Sequence, residues 1–467
     1  FGDEVAVLHS GLSDGERQDA WRALREGRKR VAVGTRSAIF APVSDLGVII
    51  VDEEHDGSYK QGETPRYSAR SVAIVRAERY GALCLLGSAT PSLESWARVR
   101  SGAWTGLELS DRATPHPLPQ VELVDLREEE GPVPIVLSDR LRKALETRID
   151  RKEQSILLLN RRGHSTWVSC DACSWIAVCR SCNVSLTWHR SRGRLVCHHC
   201  AYEEPARERC PECGEETLIY TGVGTEQVER RLGELFPGAR IARMDVDTTG
   251  RKWSHRDILD SVRRNEVDIL LGTQMISKGL DLPGVTLVGV IDADVGLNLP
   301  DFRASERTFQ LLAQVAGRAG RGTRPGEVLV QTSRPSHFAI RSALQHDYEG
   351  FARRELSDRE EPGYPPHLRL ANLVISGRDG DEVESAALAL GEWLEGLVEA
   401  RPELTGTRLL GPAPCPIDRL RGRWRWHMLI KQAHAGRLGA ILRFAATHAP
   451  VPGGSRLEID RDPENLL

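Results

Sequence analysis

The sequence predicts an α/β protein made of two parallel-sheet lobes, a cysteine-rich insertion within the second lobe, and a small α+β domain at the C-terminal end. Three observations predict it. Short β-branched runs alternate with helical stretches in two successive series, the pattern of parallel sheets covered by helices. Eight of the ten cysteines crowd into the 44 residues from Cys170 to Cys213, inside the second series. Past about residue 337 the texture changes, to a Pro-rich stretch followed by new strand and helix patterns. At roughly 100 to 200 residues per domain, 467 residues also hold about three domains.

In the first lobe, residues 1–112, Val5 to His9 reads as a strand. Ser13, with Glu16 three residues on, makes a capping box that opens the helix carrying Trp21 and Leu24. Val31 to Gly34, Val48 to Val51 and Leu83 to Gly87 are further strands around a helix over Ala69 to Tyr80. The chain opens at Phe1 with a strand already under way, which reads as a chain truncated upstream. Thr114 to Pro119 alternates proline with other residues and can continue neither helix nor central strand, so it is a linker.

The second lobe begins over 113–168, with a strand at Val121 to Val124, a helix about Ser138 to Ile149 and a strand at Ile156 to Leu159. The insertion occupies 169–214. The lobe resumes over 215–336, with strands at Thr217 to Tyr220, Ile241 to Met244, Ile269 to Leu271, Val285 to Ile291 and Val328 to Val330. Residues 337–467 form the C-terminal domain, with strands at Ala371 to Ile375 and Trp424 to Lys431 and a helix about Glu384 to Leu397.

Composition narrows the class. Lys+Arg number 63 against 66 Asp+Glu, with 40% apolar and 28% charged residues, which excludes a disordered chain and a uniformly cationic nucleic-acid coat. The longest apolar stretch, Leu46 to Val51, is far short of the roughly 20 residues that cross a bilayer, and no leader pattern opens the chain, so the expectation is a cytoplasmic protein. Only 7 of the 63 basic residues are Lys, a chain-wide bias that carries no functional weight.

The cysteines fall in four pairs, Cys170/Cys173, Cys179/Cys182, Cys197/Cys200 and Cys210/Cys213. Two thiolates three positions apart at a tight turn reach one tetrahedral ion, and two such pairs close a structural zinc site. Four pairs therefore hold two zinc ions; a disulfide framework or an iron–sulfur cluster is the alternative. The long loop between Cys182 and Cys197 suits a zinc-ribbon hairpin, whereas the short one between Cys173 and Cys179 is tight for two halves of one site. Nested pairing is favoured over sequential: Cys170, Cys173, Cys210 and Cys213 on one ion, and Cys179, Cys182, Cys197 and Cys200 on the other. His189, His198 and His199 are then bystanders. Arg161 to Arg209 carries 8 Arg against 4 Asp+Glu, with Trp167, Trp175 and Trp188 interspersed. These suit either a surface that clamps phosphate and stacks on bases or the core of a tiny domain.

Val48 to Val51 ends in Asp52-Glu53-Glu54-His55. A carboxylate at a strand tip can hold Mg²⁺ through its waters, and a second beside it can position water on a γ-phosphate; Asp52 takes the first part and Glu53 the second. Gly87-Ser88-Ala89-Thr90 follows the next strand, and Gln314-Val315-Ala316-Gly317-Arg318-Ala319-Gly320-Arg321 lies in the second lobe. Arg318 and Arg321, three apart on a Gly-broken turn, suit arginine fingers; a solvated helix face is the alternative.

DEEH, GSAT, GTQMISKGLD and QVAGRAGR, in that order, resemble motifs II, III, V and VI of superfamily 2 helicases, whose lobes are RecA-like. With GTRSAIFAP and NRRG around it, the eight-cysteine insertion resembles that of the PriA (primosomal protein N-prime) family of replication-restart helicases. The likeness spans essentially the whole chain, including the C-terminal domain entered through GYPP. The resemblance implies an ATP-dependent 3′–5′ DNA helicase that recognises stalled or branched forks and initiates primosome assembly, using ATP, Mg²⁺ and two zinc ions. It implies branched and single-stranded DNA, primosome proteins, the replicative helicase loader and single-stranded DNA-binding protein as partners, and no membrane. By motif, Thr35, Arg36 and Thr273 would touch DNA, and Ser88 and Thr90 would couple hydrolysis to it. Asp52, Glu53, Glu54, His55, Gly279, Asp281, Arg318 and Arg321 would face the nucleotide, and Gln314 would complete the catalytic set. For the Gly and Thr positions ordinary strand-to-helix turn chemistry is the alternative.

Departures from the family pattern bear on activity. The chain holds no Gly-x-x-x-x-Gly-Lys-Ser/Thr, the loop that cradles phosphates. The family's N-terminal DNA-end-binding domain and winged helix do not occur in it, which fits truncation upstream of Phe1. Where the family commonly has Trp before Arg-Tyr, this chain has Pro65-Arg66-Tyr67, so a stacking role falls to Tyr59 or Tyr67. The readings that compete are an ATP-driven DNA translocase, a non-catalytic fork-binding loader with degenerate lobes, and an RNA helicase with a zinc insertion.

Overall fold

The computed structural model describes the chain outside residues 10, 110–118, 130–135, 160–166, 171, 174, 190–192, 206, 220–224, 245–253, 274–281, 318–325 and 467. It divides into two compact units. The first is Phe1–Thr105 together with Asp460–Glu464, and the second is Gly106–Ile459 with Asn465–Leu467.

The first unit holds two parallel strand pairs, Val5–Leu8 with Val31–Gly34 and Val48–Val51 with Leu83–Leu86. The capping box forms as expected: Ser13 Oγ accepts from the Glu16 amide at 3.3 Å, and the Glu16 carboxylate accepts from the Ser13 amide at 2.8 Å, opening the helix Asp14–Arg25. Gly34 is required where it stands, because a Cβ there would run into the carbonyl of Leu8. Helix Ala69–Tyr80 turns Ala69, Ala73 and Ala77 inward at four-residue spacing, so it sits close on the second strand pair before ending at Gly81 with φ 63°.

The second unit is built around a six-stranded parallel sheet. Its order is Ile241–Met244, Ile269–Gly272, Gln154–Leu159, Val285–Asp292, Glu327–Thr332 and Gln120–Asp125. Every residue of Gln154–Leu159 and Ile269–Gly272 is buried, so both faces of the sheet's centre are covered, which explains the unbroken apolar runs of these strands. Leu157, Leu159, Leu287 and Leu329 pack with Leu141 and Leu145 of helix Asp139–Asp150, and each such buried Leu contributes roughly 1.5–3 kcal/mol.

One expected strand belongs elsewhere. Thr217 to Tyr220 does not resume the parallel sheet: Leu218–Ile219 pairs antiparallel with Ser169–Cys170 and closes the cysteine module on itself. An apolar run this short suits either sheet, and the ladder partner is set by where the cysteine pairs bring the chain back.

A second sheet has the order Arg408–Leu420, Arg423–Gln432, Arg369–Gly377 and Arg456–Arg461, the last two residues of its final strand being counted with the first unit, and it packs against helices Gly380–Glu399 and Ala435–His448. The change of texture near residue 337 is followed by helices Phe338–Leu344 and Tyr348–Glu360. These pack on helix Ala304–Ala316, where Phe309 stacks on Phe351 at 4.3 Å. No described helix is long and apolar enough to cross a membrane.

Candidate active site and metal centres

Asp52 lies at the end of Val48–Val51 with its side chain in solvent, and its Oδ1 accepts the Glu53 amide at 3.0 Å. Glu53 is held at φ 46°, a left-handed conformation costly for a residue with a side chain, and its carboxylate stays about half exposed beside Asp52. Strain of this kind at a strand tip fits a site more readily than a plain turn. His55 is almost fully buried; its Nδ1 lies 2.7 Å from Ser88 Oγ, and Ser88 Oγ also accepts the Thr90 amide at 3.0 Å. The DEEH and GSAT segments are thus hydrogen-bonded through side chains. The strands beneath set this up: the Glu54 amide donates to the Gly87 carbonyl at 3.0 Å.

Glu54 goes the other way. Its carboxylate is buried and accepts from the Ser92 amide at 2.6 Å, Arg70 Nη1 at 2.9 Å and the Ser95 hydroxyl at 3.1 Å. Its side-chain oxygens are thus taken up by donors within the lobe, where it acts as a brace. The sequence held a partial sign, since Ser92 caps the helix Leu93–Arg100, but nothing in it pointed to Arg70.

Thr35 opens the turn Arg36–Phe40, and Arg36 Nη1 donates to the carbonyls of Ser58 at 3.0 Å and Lys60 at 2.7 Å, in the loop after the tetrad. Tyr59 of that loop donates to the Asp52 carbonyl at 2.7 Å. Burial, and then the charges of Asp52 and Asp56, push the Tyr59 phenol above its usual range. Tyr67 packs edge-on against Phe40, centroids 5.0 Å apart. In the second unit Thr273 follows strand Ile269–Gly272 and Gln314 sits in the last turn of helix Ala304–Ala316. Gly279, Asp281, Arg318 and Arg321 lie outside the described residues.

The cysteines gather in two groups. Cys170, Cys173, Cys210 and Cys213 have their sulfurs within 4.8 Å of one another, and so do Cys179, Cys182, Cys197 and Cys200. A tetrahedral ion with Zn–S bonds of about 2.3 Å sets its sulfurs about 3.8 Å apart. The Cys170–Cys213 and Cys173–Cys210 sulfurs are 3.6 Å apart, and Cys179–Cys200 3.7 Å, so both groups suit zinc. Three of the pairs share one local device: Asn183, Ala201 and Gly214, each directly after a second cysteine, have φ of 51°, 61° and 79°. That bend lets the Asn183 amide donate back to Cys179, Ala201 to Cys197 and Gly214 to Cys210. Trp167 is buried, and Trp175 and Trp188, partly buried, pack against the module's apolar core.

His198 and His199, inside the third pair, are fully buried against the second sheet. His198 Nδ1 donates to the Pro414 carbonyl at 2.6 Å, His427 Nε2 donates to the His198 carbonyl, and His199 Nδ1 lies 2.7 Å from the Tyr364 hydroxyl. Burial drives the His199 imidazole down to about 3 and His427 to about 4, so both are neutral. Tyr364, from the GYPP segment, stacks on Phe302 at 4.7 Å. Sequence reading passed over this junction, because its partners are 165 or more residues apart.

Residues 179–205 match the PriA DNA helicase Cys-rich region (CRR) domain, residues 209–323 the Helicase conserved C-terminal domain, and residues 360–464 the Primosomal protein N C-terminal domain. The chain's relatives include proteins named Replication restart protein PriA. That of Bacillus subtilis is 46% identical over 96% of this chain and 55% of its own length, and that of Synechocystis 45% identical over 100% and 56%. The chain thus spans about half the length of these two relatives. The Treponema pallidum protein is 40% identical over 100% of this chain and 70% of its own length. Identity at that level, over the whole chain and more than two thirds of a relative, shows that the chain belongs to the PriA family of replication restart helicases.

Proposed function

We propose that this chain is the body of an ATP-dependent 3′–5′ DNA helicase that acts on stalled or branched forks and starts primosome assembly in the cytoplasm. The observation that carries the reading is the strained Glu53 beside an outward Asp52, tied through His55 and Ser88 to the segment after the next strand. In this reading Asp52 would hold a magnesium ion, which would offset charge on the phosphates. Glu53 accepts the proton of the attacking water, and its fixed backbone sets where that water stands. Arg36 and Thr273 meet the DNA backbone, and Ser88 and Thr90 pass the state of the nucleotide to it. By the resemblance, Gln314, Arg318 and Arg321 of the second lobe are proposed for the catalytic set, and Gly279 and Asp281 for nucleotide binding. The eight cysteines would hold two zinc ions, four thiolates each, and the ions would serve structure and not catalysis. Single-stranded DNA-binding protein, the helicase loader and other primosome proteins are the proposed partners.

The test is ATP hydrolysis with and without forked DNA, on this chain extended upstream to the family's full length. Expected is DNA-stimulated turnover that Glu53→Gln lowers at least about a hundredfold while nucleotide binding stays. Fork binding with no turnover in the unsubstituted protein would replace this reading with the loader.

A further inference from the structure

Fourteen residues after the acidic tip, Gly57 to Arg70, carry three basic side chains whose partners come from the far end of the chain. Lys60 Nζ lies 2.8 Å from Asp460 Oδ1 and donates to the carbonyls of Arg461 at 2.6 Å and Asp462 at 3.2 Å. Arg66 Nη1 is 3.5 Å from Asp460 Oδ2, and Arg70 Nη2 is 3.5 Å from Glu464 Oε1. Loop and tail belong to the same compact unit.

These are not surface pairs of the kind that contribute nothing measurable. The Lys60 side chain is 8% exposed and that of Asp460 11%, and the ammonium meets three acceptors, all from the tail. Removing one partner of such a pair leaves an uncompensated charge out of water. The same loop is fastened at two other points already described: Tyr59 to the Asp52 carbonyl, and the Ser58 and Lys60 carbonyls to Arg36. Arg70 carries the tail's reach further, since its other nitrogen holds Glu54 and Ser92 beneath the acidic tip. One loop therefore touches the proposed magnesium residue, a proposed DNA contact and the chain's last residues.

We propose that Asp460 and Glu464 are positioning residues: the tail Asp460–Glu464, through Lys60, Arg66 and the helix residue Arg70, holds the loop that runs from Gly57 to Ser68 in the shape that links DNA contact at Arg36 to hydrolysis at Asp52 and Glu53. The proposal rests on the helicase reading above. Each carboxylate acts through the Lys60, Arg66 or Arg70 side chain that it meets. Without the tail, Lys60 has no acceptor from it, the loop loses one of three fastenings, and Tyr59 and the two carbonyls no longer stay on Asp52 and Arg36 together.

The test uses the protein extended to the family's full length, with Asp460→Asn, Asp460→Glu and Glu464→Gln. Amide hydrogen exchange is read over residues 57–68, and ATP hydrolysis with and without single-stranded DNA. Asp460→Asn is expected to speed exchange over the loop at least about tenfold. It should lower the DNA-stimulated rate at least about fivefold, leaving basal turnover and the KM for ATP within about twofold, because only the positioned state is lost. Asp460→Glu restores most of the stimulation, a rescue that a purely structural role would not show. Glu464→Gln, at a partly exposed site, moves both readouts in the same direction by less, and carries the test if Asp460→Asn does not fold. Unchanged loop exchange in both variants, or faster exchange with DNA stimulation intact, overturns the proposal. An unsubstituted protein without DNA-stimulated hydrolysis overturns the helicase reading instead, and the exchange measurement, which needs neither DNA nor nucleotide, tells the two failures apart.

Discussion

Within the tetrad, adjacent residues serve opposite purposes. Asp52 and Glu53 face outward, while Glu54 is drawn inward by Arg70, Ser92 and Ser95. No alternation rule assigns these directions, since the turn at φ 46° breaks the strand's periodicity. Glu54→Ala would leave the Arg70 guanidinium buried without its nearest anion. The expected cost is about 3–5 kcal/mol, read as a lower denaturant midpoint for the first unit, with Glu54→Gln costing less because it keeps two acceptor contacts. A change within about 0.5 kcal/mol for Glu54→Ala would mean that the carboxylate is not the brace described.

At the scale of elements, turns and caps decide more than propensity does. The three cysteine turns close because a residue in the left-handed region follows each pair, and Asn and Gly are the types that adopt it at low cost. Helix Phe338–Leu344 is capped by an uncommon residue: His337 Nδ1 accepts the Ala339 amide at 3.3 Å. Only neutral imidazole can accept there, and burial followed by the nearby Arg334 charge pushes His337 from 6.5 down to about 3. Below pH 6.5 the unfolded chain therefore takes up a proton that the folded chain refuses. Stability present above pH 6.5 is lost as pH falls toward 3, by up to about 1.4 kcal/mol per pH unit. His337→Asn keeps a cap without the titration, so its melting temperature should fall less between pH 7 and pH 5 than that of the unsubstituted protein. Parallel curves would show that His337 is not the group responsible.

At the scale of the molecule, the cysteine module and the second sheet share a buried seam. His198 and His199 stand between Cys197 and Cys200, which are gathered into one cluster, and they meet Tyr364, Pro414 and His427 in the second unit. Metal analysis should return two zinc ions per chain, and one for Cys182→Ser. Chelation is then expected to speed amide exchange in Arg369–Gly377 and Arg423–Gln432, not only in the module, because the imidazoles lose the frame that aims them. Faster exchange confined to residues 167–219 would mean that the seam holds without the metal.

The amino-acid sequence by itself determined the α/β class, the position of the cysteine module and the family. Those depend on local spacing: alternation of apolar runs, pairs of cysteines three apart, and short motifs in a set order. The capping box at Ser13 and the strand ending in Asp52 were legible for the same reason. Only the tertiary structure decided that Leu218–Ile219 closes the module, that Glu54 turns inward and that Trp167 is buried while Trp175 and Trp188 pack against the module's core. It alone brought His199 to Tyr364 and Lys60 to Asp460, 401 residues from the nearest carbonyl it binds. Each of these is a choice among partners distant along the chain, and such a choice is settled by burial and by the need of every buried charge for a counter-charge, neither of which a local pattern encodes.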